Sequence, residues 1–293
     1  MRQFVVRLIF ALMAGLLVSG CSAVRLGYGN AESITRWWID HYADMSPEQD
    51  ALARERLARL HAWHRASQLP DYVGLLRQYH SLVGTQATAD DVLKLAEGAI
   101  RRGQTLAEQA IPDVADYLPT VTAEQIEYMA KRFADKNAER AKELQLAAGE
   151  SGQRKARYTR WLDRAEYWFD DLSSEQRSAL RRLIDGQTTG SQFWFDERVR
   201  RQGEWLELVR QVQRERPPRE KIVQQLRDYA ARFFIPTDPA RRAQARALRR
   251  AEAELIVAIH ALATPAQRAH ARHKLEELIR DFTELSQGGQ SSS

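Results

Sequence analysis

The chain has one cysteine in 293 residues, with only 15 glycines, 9 prolines and 7 lysines. A single Cys excludes an internal disulfide and any cysteine-rich zinc module. Scarce Gly and Pro leave little material for the many turns of an all-β fold. No β-branched alternation bounded by Asn-Gly or Asp-Gly turns occurs, and past residue 20 no run reaches 18 apolar residues, so no later segment reads as membrane-spanning. An excess of one charge is missing as well: 44 basic residues face 39 acidic ones, for a net +5. Residues 1–20 hold Arg2, Arg7 and no acid, so without them 42 basic residues face 39 acidic ones, or +3. That balance argues against general nucleic-acid binding; the high isoelectric point reflects 37 Arg rather than a large field. Walker patterns, Gly-rich phosphate loops and nucleophilic triads are absent too.

What is present is helical periodicity. With 44% apolar and 28% charged residues the chain has the composition of a folded protein. Leu52, Leu57, Leu60 and Trp63 recur at helical spacing, as do Val92, Leu95, Ala96, Ala99 and Ile100, and later Leu255, Ile256, Ile259 and Leu262. The expected fold is all-α: about nine or ten antiparallel helices in an irregular bundle or array. Four helix starts carry one signature: Ser46-Pro47-Glu48-Gln49, Thr122-Ala123-Glu124-Gln125, Ser173-Ser174-Glu175-Gln176 and Thr264-Pro265-Ala266-Gln267. This is the capping box, in which the hydroxyl accepts from the N3 amide and the N3 Gln reaches back to the cap. Pro47 and Pro265 sit at N1, where a missing N–H costs nothing. The intervals of 76, 51 and 91 residues exclude a regular solenoid. Breakers set the other boundaries: Leu69-Pro70 ends one helix, Thr88 caps another after a loop at 84–89, and Pro112 should kink or interrupt it. Loops are expected at 149–152 and 186–191, and breaks at Pro217-Pro218 and at Pro236 with Asp238-Pro239.

Residues 1–20 combine a basic start with the short apolar run 8–18, the layout of an export signal. Leu17-Val18-Ser19-Gly20-Cys21 resembles the bacterial lipobox, with cleavage between Gly20 and Cys21 and lipidation of Cys21. The only cysteine of the chain falls at the one position that chemistry needs. Thioether diacylation plus amino-acylation supplies three chains, a stable anchor at about 0.8 kcal/mol per buried CH₂. Ser22 rather than Asp after the cysteine implies, by resemblance to enterobacterial-type sorting rules, the periplasmic face of the outer membrane. The resulting organisation is signal 1–20, tether 21–31, helical periplasmic body 32–287 with any division near Gly149, and polar tail 288–293.

Candidates for chemistry are few. His61 and His64, and again His270 and His273, have the three-residue spacing that can share a helix face, but no acid or cysteine completes a metal motif. No metal or cofactor is therefore expected, and no catalytic residue is assigned. Glu150-Ser151 resembles the opening of the lytic transglycosylase active-site motif, without the rest of that signature, so a connecting turn is the better reading. Arg242, Arg246 and Arg249 share a helical face in the densest basic stretch; they suit an anionic ligand, against the plainer reading of a solvated face paired with Glu252 and Glu254. Aromatics cluster at Trp37-Trp38, Tyr167-Trp168-Phe169 and Phe193-Trp194-Phe195, as core or as binding surface.

Residues 17–21, Arg25-Leu26-Gly27-Tyr28, Trp38, residues 42–49, Trp63-His64-Arg65, Leu69-Pro70-Asp71-Tyr72, residues 168–176 and the Arg-rich stretch 198–208 resemble a family of proteobacterial lipoproteins of unknown function. Leu172-Ser173-Ser174-Glu175-Gln176 resembles, more weakly, the Leu-Thr-x-x-Gln signature of Spy-type helical periplasmic chaperones. These likenesses imply an anchored helical protein of the periplasm. The expected role is non-enzymatic binding or scaffolding; chaperoning of envelope proteins and peptidoglycan cleavage through Glu150 are the alternatives. The expected partners are the membrane, through Cys21, and an envelope protein, lipopolysaccharide or another anionic lipid.

Overall fold

The computed structural model describes residues 20–187 and 190–288. Residues 1–19, nearly all of the expected signal at 1–20, residues 188–189 and those from 289 lie outside the described residues, as do the side chains of residues 20–22, that of Cys21 included. Among the described residues the chain is all-α, without strands. The helices are α1 (Gly20–Gly29), α2 (Ala31–Ala43), α3 (Pro47–Trp63), α4 (Leu69–Val83), α5 (Ala89–Tyr117) and α6 (Ala123–Glu143), then α7 (Gly149–Phe169), α8 (Ser174–Asp185), α9 (Ser191–Glu215), α10 (Arg219–Phe234), α11 (Pro239–Leu262) and α12 (Pro265–Gln287). No helix among them is long and apolar enough to cross a membrane.

Three boundaries differ from the sequence reading. Leu69-Pro70 does not end a helix: a π-helical turn, His64–Gln68, joins α3 to α4 without a break, giving eleven separate rods among the described residues where nine or ten were expected. In that wider turn the Leu69 N–H donates to the His64 carbonyl, and Pro70, which has no N–H to offer, continues the first turn of α4. Pro112 does not interrupt α5. Residues 149–152 are not a loop but the first turn of α7, entered through Gly149 at φ 65°, a left-handed backbone that suits glycine.

All four capping boxes form as read, and Thr88 makes a fifth with Asp91. The four then dock in pairs. In each box the Gln Oε1 accepts from its own N-cap amide, at 2.9 Å for Gln49, 3.0 Å for Gln125, 2.9 Å for Gln176 and 2.9 Å for Gln267. Each Nε2 then donates across to the chain entering the other helix: Gln49 to the Thr120 carbonyl and Gln125 to that of Asp44, at 2.9 and 2.7 Å. Gln176 donates to the Leu262 carbonyl and Gln267 to that of Asp171, at 2.8 and 3.0 Å. Within each pair the two amides also bond to each other. Both hydrogens and both lone pairs of every Gln amide are thereby used.

Each junction serves its own hydrophobic cluster. One cluster gathers Ile126 of α6, Ile111 of α5, Val209 and Val212 of α9, and Ile222 and Leu226 of α10. The other gathers Val83 of α4, Phe169 of α7, Leu180 and Ile184 of α8, Leu255 of α11 and Leu275 of α12. A cut at Gly149 would divide both clusters, since each takes residues from before and after it. The 29-residue α5, about 44 Å long at 1.5 Å per residue, is touched by α3, α4, α10 and α11.

Residues 21–31, read as a tether, are helical as far as Gly29, and α1 lies against α12. The Arg25 Nε donates at 2.7 Å to Asp281, whose side chain is wholly buried, and Nη1 reaches Glu284 at 2.5 Å. The Tyr28 hydroxyl is 2.8 Å from His64 Nδ1.

Candidate functional site

Between the two clusters runs a groove of about 1540 Å³, larger than an ordinary small-molecule pocket, with walls from α2, α3, α5, α6, α7, α9, α10 and α11. Its floor comes from one face of α5. Ala96, Ala99, Gly103, Ala107 and Ala110 follow at intervals of three and four, so small side chains line up where bulky ones would fill the space. A Cβ on Gly103 would stand 3.0 Å from the ring of Phe234, which closes over that point. Trp38, Phe133, Trp194, Trp205 and Phe233 supply aromatic walls.

Eight arginines line the groove against two carboxylates, Asp113 and Glu252. Asp113 is already spent: Arg56 and Arg59 each reach it at 3.0 Å. Glu252 faces Arg157, Arg164, Arg249 and Arg160; burial raises its pKa and those arginines oppose the rise. Arg157 is only 6% exposed; one nitrogen donates to Gln187 Oε1 at 2.7 Å, while buried Nη1 has no hydrogen-bond partner. The same holds for buried Arg160 Nη1 and Arg201 Nε. Burial pushes the pKa of all three guanidinium groups down, and for Arg160 the neighbouring Arg140, Arg164 and Arg157 add to it. Several of these cations are fixed over rings: Arg164 lies 5.3 Å from the centre of Trp161, Arg249 5.7 Å from Trp194 and Arg201 4.8 Å from Phe233. A cation held by an aromatic face keeps its N–H donors for something else. The groove is thus a preformed apolar trough in which arginines outnumber acids.

The residues singled out from sequence scatter. Arg249 enters the groove, Arg242 donates to the Pro236 and Thr237 carbonyls at 2.9 and 3.0 Å, and Arg246 is exposed. Glu254 pairs with Arg250 of the same basic stretch at 3.0 Å, as the plainer reading of a solvated, paired face expects. Glu150 is 74% exposed in the first turn of α7 and pairs with Arg154 at 2.7 Å, far from the shielded setting a catalytic acid needs. His64 is held from both sides by tyrosine hydroxyls, Tyr28 at Nδ1 and Tyr72 at Nε2 (3.2 Å), and burial keeps His61 and His64 below the usual histidine pKa. His273 lies 3.4 Å from Glu277. Among the described residues no three His, Cys, Asp or Glu side chains gather as a metal site. Trp37 and Trp38 are both mostly exposed, at 66% and 56%, Trp38 on the groove wall.

Arg157, Arg160 and Arg164 were missed as a unit. Their spacing of three and four residues, beside Trp161, puts them on one face of α7, which the sequence shows. Nothing in the sequence says that this face turns inward. No curated protein and no solved structure matches the chain. The family model DUF6279 matches residues 41–233, which take in Arg157, Arg160, Arg164 and Arg201 but not Arg249. Spanning well over half of the chain, from the end of α2 through nearly all of α10, that match makes the protein a member of DUF6279, a family of unknown function.

Proposed function

We propose that this is an exported lipoprotein, anchored through Cys21 to the periplasmic face of the outer membrane, whose helical body is a non-enzymatic binding protein. The observation that carries the reading is the groove: a trough of about 1540 Å³ with apolar floor and aromatic walls, whose arginines outnumber its acids. Such a surface holds a ligand rather than transforming one. The export signal, the lone cysteine and the docked α1 support the anchored part of the reading. With α1 latched to α12 by Arg25, the body would sit close to the membrane rather than at the end of a flexible leash.

The test is crosslinking in intact cells followed by mass spectrometry, with wild type beside Cys21→Ser and with radiolabelled palmitate to follow Cys21. Label on wild type alone, with one or two envelope components captured only by the anchored form, is the expected result. Absence of label from wild type would sink the anchor. The exposed Leu26, Ile34 and Trp37 favour a second reading, a chaperone for envelope proteins. Capture of many unrelated, partly folded proteins would put that reading first.

A further inference from the structure

We infer that the groove takes a phosphate-bearing lipid, its head held by Arg157, Arg160 and Arg164 and its acyl portion lying along the small-residue face of α5. This rests on the reading of the groove as a binding site and names its ligand class.

Three observations lead there. First, among the described residues Arg157, Arg160 and Arg164 of α7 have no carboxylate within 4 Å, whereas Arg56 is paired with Asp113, Arg140 with Glu143 and Arg201 with Glu197. Arg250 of α11 pairs with Asp90 at the start of α5, and Arg157 is tied to the same stretch of α11 through Gln187, which donates to the Ala251 carbonyl at 3.1 Å; Arg249 instead turns back to the Phe234 carbonyl, near Gly103. Asp113, about 35 Å further along the axis of α5, is where Arg56 and Arg59 are neutralised. A cluster of unpaired cations on α7 beside a long apolar face matches an amphiphile. Second, Arg157 is more than nine-tenths buried and Arg160 half-buried, yet each carries a buried Nη1 with no partner in the protein. Buried donors are nearly always satisfied in folded proteins, so these two are placed for an acceptor from outside. Third, the anion is most simply a phosphate. Arg157, Arg160 and Arg164 crowd together beside Arg140, which is paired with Glu143 at 2.8 Å, and Glu252 is the acid among them in the groove. Several guanidinium groups converging on one place suit a compact group that presents several oxygens and more than one charge. A single carboxylate would leave most of those donors idle.

The experiment uses the full mature chain purified from membranes in a nonionic detergent, with tryptophan fluorescence as readout, since Trp161 and Trp194 stand beside Arg164 and Arg249. The probe is dioctanoyl phosphatidic acid. Dioctanoylglycerol lacks its phosphate, inorganic phosphate lacks its chains, and a poly-glutamate peptide stands for the rival acidic partner. Phosphatidic acid should bind at least about tenfold more tightly than each of the other three, as loss of two charge-assisted hydrogen bonds implies. Arg157→Gln with Arg160→Gln should weaken it by about the same factor, while Arg157→Lys with Arg160→Lys retains part of the affinity. Ala107→Trp should block the chains, and Arg246→Gln should change nothing; thermal melts identify any variant that fails to fold. Equal binding of phosphatidic acid and dioctanoylglycerol, or an unaffected double Gln variant, overturns the proposal. Tight binding of inorganic phosphate alone reduces it to an anion site, and preference for poly-glutamate replaces the lipid with a peptide. Mass spectrometry of lipid copurified with wild type separates a glycerophospholipid from a phosphorylated glycolipid as the source of the headgroup. If phosphatidic acid fails but a protein captured in cells is lost in the double Gln variant, the groove reading stands and only the ligand class falls.

Discussion

The junction of α3 with α6 and that of α8 with α12 each use one Ser, one Thr and two Gln in the same reciprocal pattern, yet they meet solvent differently. Gln49 and Gln125 are buried, at 6% and 9% exposure, whereas Gln176 and Gln267 are half-buried. The first junction also recruits the Thr120 hydroxyl, 3.1 Å from Gln49 Nε2. Each junction brings two helix N-termini together, and their dipoles oppose one another. Glu48 and Glu124 at N2 answer this at the first junction, each held below the usual carboxylate pKa, Glu48 by its N-cap hydroxyl and Glu124 by its own backbone amide and then its N-cap hydroxyl. At the second only Glu175 does so, because the fourth box has Ala266 in that place. The comparison teaches that one local motif can be a rigid buried pin or a softer surface clasp, according to what surrounds it.

The largest effect should come from emptying the buried pin. Gln125→Ala strands the Asp44 carbonyl, Gln49 and the Thr122 amide, and we expect a loss of about 4 kcal/mol, against about 1.5 kcal/mol for Gln267→Ala, whose partners can turn to water. Urea unfolding of the two variants at equal m-values checks this; equal losses would break the distinction. Acid should come next and act on the clasp. His260, two residues before the Leu262 carbonyl that Gln176 uses, is pushed down to about 4 by burial, with Arg268 adding to it. The unfolded chain therefore binds more protons than the fold between about pH 6.5 and 4, so stability is full above that window and declines through it as pH falls. The expected decline is about 3 kcal/mol. Hydrogen exchange should show α8 and α12 loosening before α6 and α9, and His260→Gln should flatten the pH dependence; a slope left intact would rule His260 out. The smallest effect is a gain. Ala266→Glu supplies the missing acid at N2 and should stabilise by about 0.5 kcal/mol, visible as a raised melting temperature that salt diminishes.

Much of the fold was legible. The four boxes were read residue by residue, because a cap is decided within one turn by a hydroxyl and an amide three residues apart. The misreadings share a cause: Leu69-Pro70, the glycines around Glu150 and residues 21–31 all carry breaker signals that packing overrode. Pro70 is absorbed by a π turn, Gly149 supplies the left-handed entry to α7, and Arg25 with Tyr28 ties α1 to the body. The groove was half legible. Spacing aligned Ala96, Ala99, Gly103, Ala107 and Ala110, and equally Arg157, Arg160 and Arg164. Yet an alanine stripe usually marks close helix packing and an arginine stripe a solvated face, and neither pattern carries its own direction.

By itself the sequence determined the helical class, the places where helices begin and which side chains share a face, since these follow from contacts within a few residues. Only the tertiary structure decided that caps 76 and 91 residues apart would lock together, that one pair would be sealed from water, and that a face of arginines would turn toward a face of alanines. Those outcomes depend on exclusion of solvent by helices distant in the chain, and no local pattern encodes which surfaces will meet.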